Sequence, residues 1–111
     1  MNDQKLNELV AAWFEGDGGG TMHEACSQDP ETAWQSILQI LTRELADDEK
    51  SLLAAGPLED LLALHGSTFI DRMEAEAKRN PRFNDLLGGV WPRRIPREIW
   101  ERIEKVRKAI W

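Results

Sequence analysis

The 111-residue sequence predicts an all-α fold of six to seven short helices. Apolar residues recur three and four positions apart along most of the chain, which is the spacing of one helical face. No segment of useful length alternates with a period of two, so no β-strand is expected. Helix-start signals, an Asp or Asn followed by Pro, recur at Asp29-Pro30 and Asn80-Pro81. The helices fit a compact irregular bundle or a short, solenoid-like stack of α-hairpins, and the lack of an internal repeat favours the bundle.

Three helices are predicted in the first half of the chain. The first carries an apolar stripe over 6–14 and ends at the glycine-rich run 16–20, which is predicted to be a flexible loop because glycine disfavours helix. The second starts with Asp29 as its cap and carries its stripe to residue 45. The acidic pair 47–48 is predicted to cap a third, short segment that reaches residue 55.

Four more helices are predicted in the second half. Gly56-Pro57 reads as the end of one helix and the start of the next, which runs to a stop at Gly66. The following helix covers 67–77, with Ser67 as its cap. Another runs from residue 81 to the glycine pair 88–89, and the last is opened by Pro96.

The composition is that of one globular domain over residues 1–111. The apolar share is 41% and the charged share 31%, as in globular rather than disordered chains. No apolar run approaches the ~20 residues of a membrane span, and the N-terminus lacks the basic start and apolar core of a signal peptide. The single cysteine, Cys26, cannot form an internal disulfide. These features predict a cytoplasmic protein with no membrane partner.

Charge is divided unevenly along the chain, whose net charge is −6. Residues 1–77 carry 16 acidic and 4 basic residues, whereas residues 78–111 carry 4 acidic and 10 basic residues. The two parts can neutralise each other at the surface. Alternatively, the acidic part can form a face for a basic partner. Nucleic-acid binding by the basic part is disfavoured, because Glu98, Glu101 and Glu104 alternate with its lysine and arginine residues. Pairs such as Glu98–Arg102 have the i,i+4 spacing of ion pairs along one helix.

Few side chains form a chemical motif. Glu59 and Asp60 lie in the first turn of a predicted helix, where acids favour the helix dipole. His65 lies six residues beyond Glu59, off the same helical face, and is interpreted as a structural histidine bonded to a carbonyl. His23 and Cys26 lack a second pair to complete a zinc site, and the acids near Cys26 oppose a reactive thiolate. No catalytic residue, metal or cofactor is predicted.

The second half of the chain contains four short runs that form a familiar pattern: GPLEDLL at 56–62, HG at 65–66, NPRF at 80–83 and LLGGVW at 86–91. This pattern resembles an uncharacterised family of small bacterial all-helical proteins, a domain of unknown function. The resemblance implies a bacterial origin and an all-α fold. It implies no catalytic residue, since the family has no known activity.

Three functions remain open. The first is a small protein-binding domain, in its sharpest form an immunity or inhibitor protein that neutralises a toxin or nuclease through an acidic surface. The second is a small enzyme or ligand-binding domain that uses Glu59 and His65 with an arginine from the 93–94 pair. The third is a homo-oligomeric module that associates through its C-terminal helix and Trp111. The candidate binding residues are therefore Glu59, Asp60, His65, Trp91 and Trp111.

Overall fold

The computed structural model describes residues 3–16, 20–108 and 110–111. Within these ranges the chain forms seven α-helices and one turn of π-helix, without a β-strand. The all-α prediction is confirmed. The helices are α1 (Asp3–Glu15), α2 (Gly20–Gln28), α3 (Pro30–Ile40), α4 (Asp47–Leu53), α5 (Glu59–Arg79), α6 (Pro81–Leu87) and α7 (Arg97–Val106), and the π-helical turn is Ala54–Leu58.

The principal extents of the molecule, 34 × 27 × 25 Å, are those of an irregular bundle rather than of an elongated stack. Helix α3 lies near its centre and buries Trp34. The indole packs edge-on against Phe83 of α6, with ring centroids 5.3 Å apart, and at a tilt against Phe69 of α5, at 6.1 Å. Aromatic pairs at these separations stabilise beyond the area that they bury. A single tryptophan thus ties three helices to one core.

Helix α2 is absent from the sequence prediction, which leaves everything between α1 and Asp29 outside a helix. Met22, Ala25 and Cys26 are buried on one face of α2. Their spacing, i, i+3 and i+4, is a helical stripe, but the glycines before it indicate a loop. Of the predicted flexible loop 16–20, residues 17–19 lie outside the described part of the chain.

The predicted break at Gly56-Pro57 is wrong. The backbone continues from α4 through the π-helical turn into α5. Pro57 lies inside this turn; its ring would collide with the carbonyl four residues earlier in an α-helix, and the wider π-turn relieves that contact. The turn places both Glu59 and Asp60 against the protein interior, where they are 7% and 6% exposed.

The predicted helix end at Gly66 corresponds to a sharp kink inside α5. His65, one residue earlier, has non-helical angles (φ −136°, ψ 28°), so the helical segments before and after it meet at an angle within Glu59–Arg79. Ser67, the predicted cap of the next helix, lies inside α5. A Cβ atom at Gly66 would lie 3.2 Å from the side chain of Ile99 on α7, so the glycine also allows α5 and α7 to pack closely.

The helix caps agree with the sequence at α3 and α6 and differ at α4. The Asp29 side chain accepts from the backbone N–H of Thr32, and Asn80 accepts from Arg82 and Phe83. For α4 the N-cap is Ala46, not Asp47 or Asp48. Its backbone N–H donates to the carboxylate of Glu49 (2.9 Å), which accepts as the third helical residue of a capping box does.

Two arginines of the basic C-terminal part, Arg94 and Arg102, pair with acids on α5. Arg102 reaches from α7 to Asp71 (2.6 Å) and to Glu74, both on α5. The pairing of Arg102 with Glu98 that sequence spacing predicted is thus replaced by contacts between helices. Two carboxylates of α5 face α7, so Arg102 pairs with them rather than with a glutamate of its own helix.

No helix within the described residues is long and apolar enough to cross a membrane.

Candidate functional site

A cleft of about 800 Å³ opens between α1, α2 and the segment formed by α4 and the π-turn. Most of its walls are apolar or backbone, and its charged or titratable side chains are few. We call this feature the α1–α2 cleft; it is lined by Trp13, Phe14, Gly16, Gly20, His23, Glu49, Leu52, Ala55, Gly56, Pro57 and Asp60. Its volume falls within the roughly 300–1,000 Å³ of small-molecule sites.

One wall of the cleft is aromatic. Trp13 and Phe14 meet edge-on, with ring centroids 5.1 Å apart and planes at 89°. The guanidinium of Arg43 lies over the Phe14 ring, 4.5 Å from its centroid. Leu52, which is 67% exposed, also lines the cleft. A large exposed aliphatic side chain beside two aromatic rings is suited to the apolar body of a ligand.

At the polar end of the cleft, three side chains from three parts of the chain form a hydrogen-bonded series. His23 Nδ1 lies 2.8 Å from Asp60 Oδ2, and Arg94 Nη2 donates to Asp60 Oδ1 at 2.6 Å. The Asp60 side chain is 8% exposed, whereas those of His23 and Arg94 are 67% and 58% exposed. We call this series the His23–Asp60–Arg94 triad.

The triad fixes the hydrogen-bonding role of His23. An ionised carboxylate only accepts hydrogen bonds, so His23 Nδ1 carries the proton and donates to Asp60. Nε2, on the far side of the ring from Asp60, then accepts from a ligand when the imidazole is neutral, or donates when it is protonated. Arg94 holds the other carboxylate oxygen, which orients Asp60 and hence the histidine.

Glu59 lies next to Asp60 in the sequence and interacts with the connector 91–96. The backbone N–H of Trp91 donates to its carboxylate, and Arg93 and Arg94 lie near enough to act on its charge. Burial raises the pKa of the Glu59 carboxyl above its usual value, and the arginines only partly oppose this effect. The connector 91–96 therefore lies over the start of α5 and contacts both buried acids.

His65 contacts α2, whereas Glu59 interacts with the connector 91–96. Its Nε2 lies 3.3 Å from the carbonyl oxygen of Ser27, near the C-terminal end of α2. A histidine that donates to such a carbonyl ties two helices together. The sequence interpretation of His65 as a histidine bonded to a carbonyl agrees with this contact.

Cys26 is fully buried behind the cleft. Its Sγ lies 3.5 Å from the carbonyl oxygen of Pro57 in the π-turn. Burial, helped by the charge of Asp60, raises the pKa of the thiol to about 12. Since only the thiolate is a nucleophile, Cys26 is an inert packing residue at neutral pH.

The two candidate tryptophans lie outside the cleft. Trp91 is 52% exposed at the start of the connector. The backbone N–H of Trp111 donates to the carbonyl of Gly88 (2.9 Å), and its ring packs against Gly89 with the ammonium of Lys50 5.3 Å from its centroid. Trp111 is thus docked on its own chain, next to the end of α6.

A second depression of about 490 Å³ lies between the α3–α4 connection and α6. Its polar groups already bind one another. Arg82 donates to the carbonyls of Leu41 (2.7 Å) and Arg43 (3.1 Å), and Lys50 pairs with Asp85 (3.1 Å). A ligand would have to displace these contacts, so we regard the α1–α2 cleft as the better candidate.

In the portion of the chain that the structure describes, no three His, Cys, Asp or Glu side chains are placed to hold a metal ion. The charged or titratable side chains in or beside the cleft that can contact a ligand include His23, Asp60, Arg94 and Glu49.

Residues 3–110 match the model of a family of unknown function, DUF6869. The chain belongs to this family. The expectation that the chain belongs to an uncharacterised family, a domain of unknown function, is thereby confirmed. No curated protein and no solved structure matches the chain. Because the family's function is unknown, membership of it does not indicate an activity for this chain.

Sequence reasoning missed His23 and Arg94 as partners of Asp60. His23 was considered only with Cys26 as a metal ligand, because α2 was not predicted. The one signal that could have located it is the buried stripe of α2, which places His23 beside Met22 at the start of a helix. Nothing in the spacing of residues 23, 60 and 94 indicates that they meet.

Proposed function

We propose that this member of the family is a small ligand-binding protein and that the α1–α2 cleft is its binding site. The observation that carries this proposal is the His23–Asp60–Arg94 triad at the polar end of a mostly apolar cleft. A buried carboxylate that orients an exposed imidazole is an arrangement that positions one polar atom, Nε2, for an incoming group. The ligand would place its apolar body against Trp13, Phe14 and Leu52.

This proposal refines the ligand-binding alternative that the sequence left open. The acid is Asp60 in place of Glu59, and the histidine is His23 in place of His65. Arg94 keeps the role of the accompanying arginine. The same imidazole could accept a proton from a bound substrate, so an enzymatic role would use this site too.

A fragment screen by NMR tests the proposal. Fragments with one aromatic ring and one hydrogen-bond donor should shift the amide signals of the residues that line the cleft. Ala55→Phe places a large ring at an exposed wall position of the cleft and should abolish these shifts. Ala75→Phe is the matched control, since Ala75 is exposed on α5 and does not line the cleft. Shifts that persist in Ala55→Phe would refute the site.

A second candidate is the protein-binding role that the charge distribution suggested, in its sharpest form an immunity or inhibitor protein for a toxin or nuclease. It is favoured by the exposed acids at the start of α4, Glu44, Asp47 and Asp48, because many acids of α5 are already paired with arginines. A basic protein partner is expected to bind here, faster at low salt. Capture of that partner should be lost in E44Q/D47N/D48N and retained in E98Q/E104Q on α7.

We also propose a bacterial origin and a cytoplasmic location. The buried free thiol of Cys26 supports a reducing compartment. Self-association through the C-terminal helix stays a prediction, to be checked by light scattering on the purified chain.

A further inference from the structure

We propose that the α1–α2 cleft selects an organic cation: an ammonium group carried by an apolar or aromatic body. This inference rests on the proposed ligand-binding function and specifies the chemical class of the ligand. It follows from the charges on the walls, from the aromatic side of the cleft and from the charge of the surrounding elements.

The lining of the cleft carries negative charge, and the two arginines beside it, Arg43 over Phe14 and Arg94 on Asp60, are not part of the lining. Among the lining side chains the titratable ones are His23, Glu49 and Asp60, and no lysine or arginine lines the cleft. Arg94 compensates Asp60 from its other oxygen. Glu49 accepts from the backbone N–H of Ala46 at 2.9 Å, and within the described residues no ion pair with a lysine or arginine joins it. A neutral donor orients this carboxylate without cancelling its charge.

The aromatic wall adds a second attraction for cations. The ring faces of tryptophan and phenylalanine carry negative electrostatic potential and bind ammonium and guanidinium groups. Phe14 already does so within this chain, since Arg43 lies 4.5 Å above its ring. Trp13, edge-on to Phe14, supplies the larger ring of the pair.

The elements around the cleft reinforce the preference. All lining residues fall between positions 13 and 60, within the part of the chain in which acids outnumber bases 16 to 4. Clefts lined by one sign of charge concentrate ligands of the opposite sign. The opposing possibility is an anion held by protonated His23, and the experiment below distinguishes the two.

Three indoles of similar size and different charge provide the test: tryptamine (cation), tryptophol (neutral) and indole-3-acetate (anion). Each is titrated into the ¹⁵N-labelled full chain at pH 7 and low salt. We expect tryptamine to bind about tenfold or more tightly than indole-3-acetate, with tryptophol between them. Glu49→Gln should weaken tryptamine about three- to tenfold and leave tryptophol unchanged.

Glu49→Gln is a clean variant because glutamine keeps the oxygen that accepts from Ala46, and Gln serves in capping boxes as Glu does. Glu98→Gln, an exposed change on α7, is the control and should alter no affinity. If the three indoles bind the cleft equally, or if indole-3-acetate binds most tightly, the cation inference is overturned while the ligand-binding function stands. If none of the three shifts the amides of the cleft, both proposals are overturned.

Discussion

The contact between Asp60 and Arg94 fastens the connector 91–96 to the start of α5, and its strength can be measured. The perturbation is a pair of charge-removing substitutions of similar size, Asp60→Asn and Arg94→Gln, made singly and together. The double-mutant cycle isolates the interaction between the two side chains from their other contacts. A parallel cycle with His23→Gln measures the second arm of the triad.

The expected magnitudes follow from exposure. A hydrogen bond to a charged group contributes about 1.5–3 kcal/mol, whereas exposed ion pairs contribute about 0–1 kcal/mol. Asp60 is 8% exposed but Arg94 is 58% exposed, so we expect a coupling of about 1–1.5 kcal/mol, between those ranges. His23 is 67% exposed, and its coupling to Asp60 should be smaller, about 0.5 kcal/mol.

Urea denaturation followed by circular dichroism at 222 nm provides the four free energies of unfolding for each cycle. The matched control is Arg97 with Glu101, an exposed i,i+4 pair whose side chains are 91% and 56% exposed, for which the coupling should be indistinguishable from zero. A coupling of Asp60 to Arg94 no larger than that control, or smaller than its coupling to His23, would refute the reasoning.

Three further predictions concern other residues. Gly89→Ala should destabilise the fold by about 1–3 kcal/mol, because the Cβ of the alanine would collide with the Trp111 ring and lie 2.9 Å from Ala54. Urea denaturation should show that adding W111A restores only part of the lost stability. Since burial raises the pKa of Glu59 above 4.5, stability should fall as pH rises from about 4.5 through that raised pKa, and a Tm series should show no such slope in Glu59→Gln. Cys26 should resist iodoacetamide at pH 7.5 in the folded chain and react once unfolded, as mass spectrometry would show, because its thiol is buried.

Much of the fold was predictable because its signals are local. The caps of α3 and α6 follow from one Asp, one Asn and the prolines after them. The glycine pair 88–89 ends α6 where expected. Apolar stripes located α1, α3 and α7, since a helical face needs only the spacing of its own residues. The stripe of α3 runs on to residue 45, whereas the helix ends at Ile40.

The errors share a physical cause. At each of these positions the local sequence is compatible with more than one backbone conformation, and tertiary packing selects the one that forms. Gly56-Pro57 reads as a helix end, yet the chain continues through it, because a π-turn accommodates the proline. The break expected at Gly66 is a kink at His65 rather than a helix end, and the helical backbone resumes directly after it. Helix α2 has a weak stripe and a glycine-rich start, so burial of Met22 and Cys26 rather than propensity stabilises it.

The candidate site was predicted only in part. Asp60 was named from its place in the sequence, and the structure places it in the triad. His23 and Arg94 could not be assigned to it, because their sequence distances from Asp60, 37 and 34 residues, carry no periodic signal. Such a site forms only when α2, the start of α5 and the connector 91–96 pack together, and the spacing of residues in the sequence does not predict that tertiary contact.

The central claim is that His23, oriented by Asp60, is the polar anchor of the cleft. The chain has two histidines, His23 and His65, so the ring nitrogens of both can be followed by long-range ¹H–¹⁵N NMR during a titration with tryptophol. We expect His23 Nδ1 to carry the proton and the His23 Nε2 signal to shift as ligand is added, while the His65 signals stay fixed. A shift confined to His65, or no shift at His23 while the amides of the cleft move, would contradict the claim.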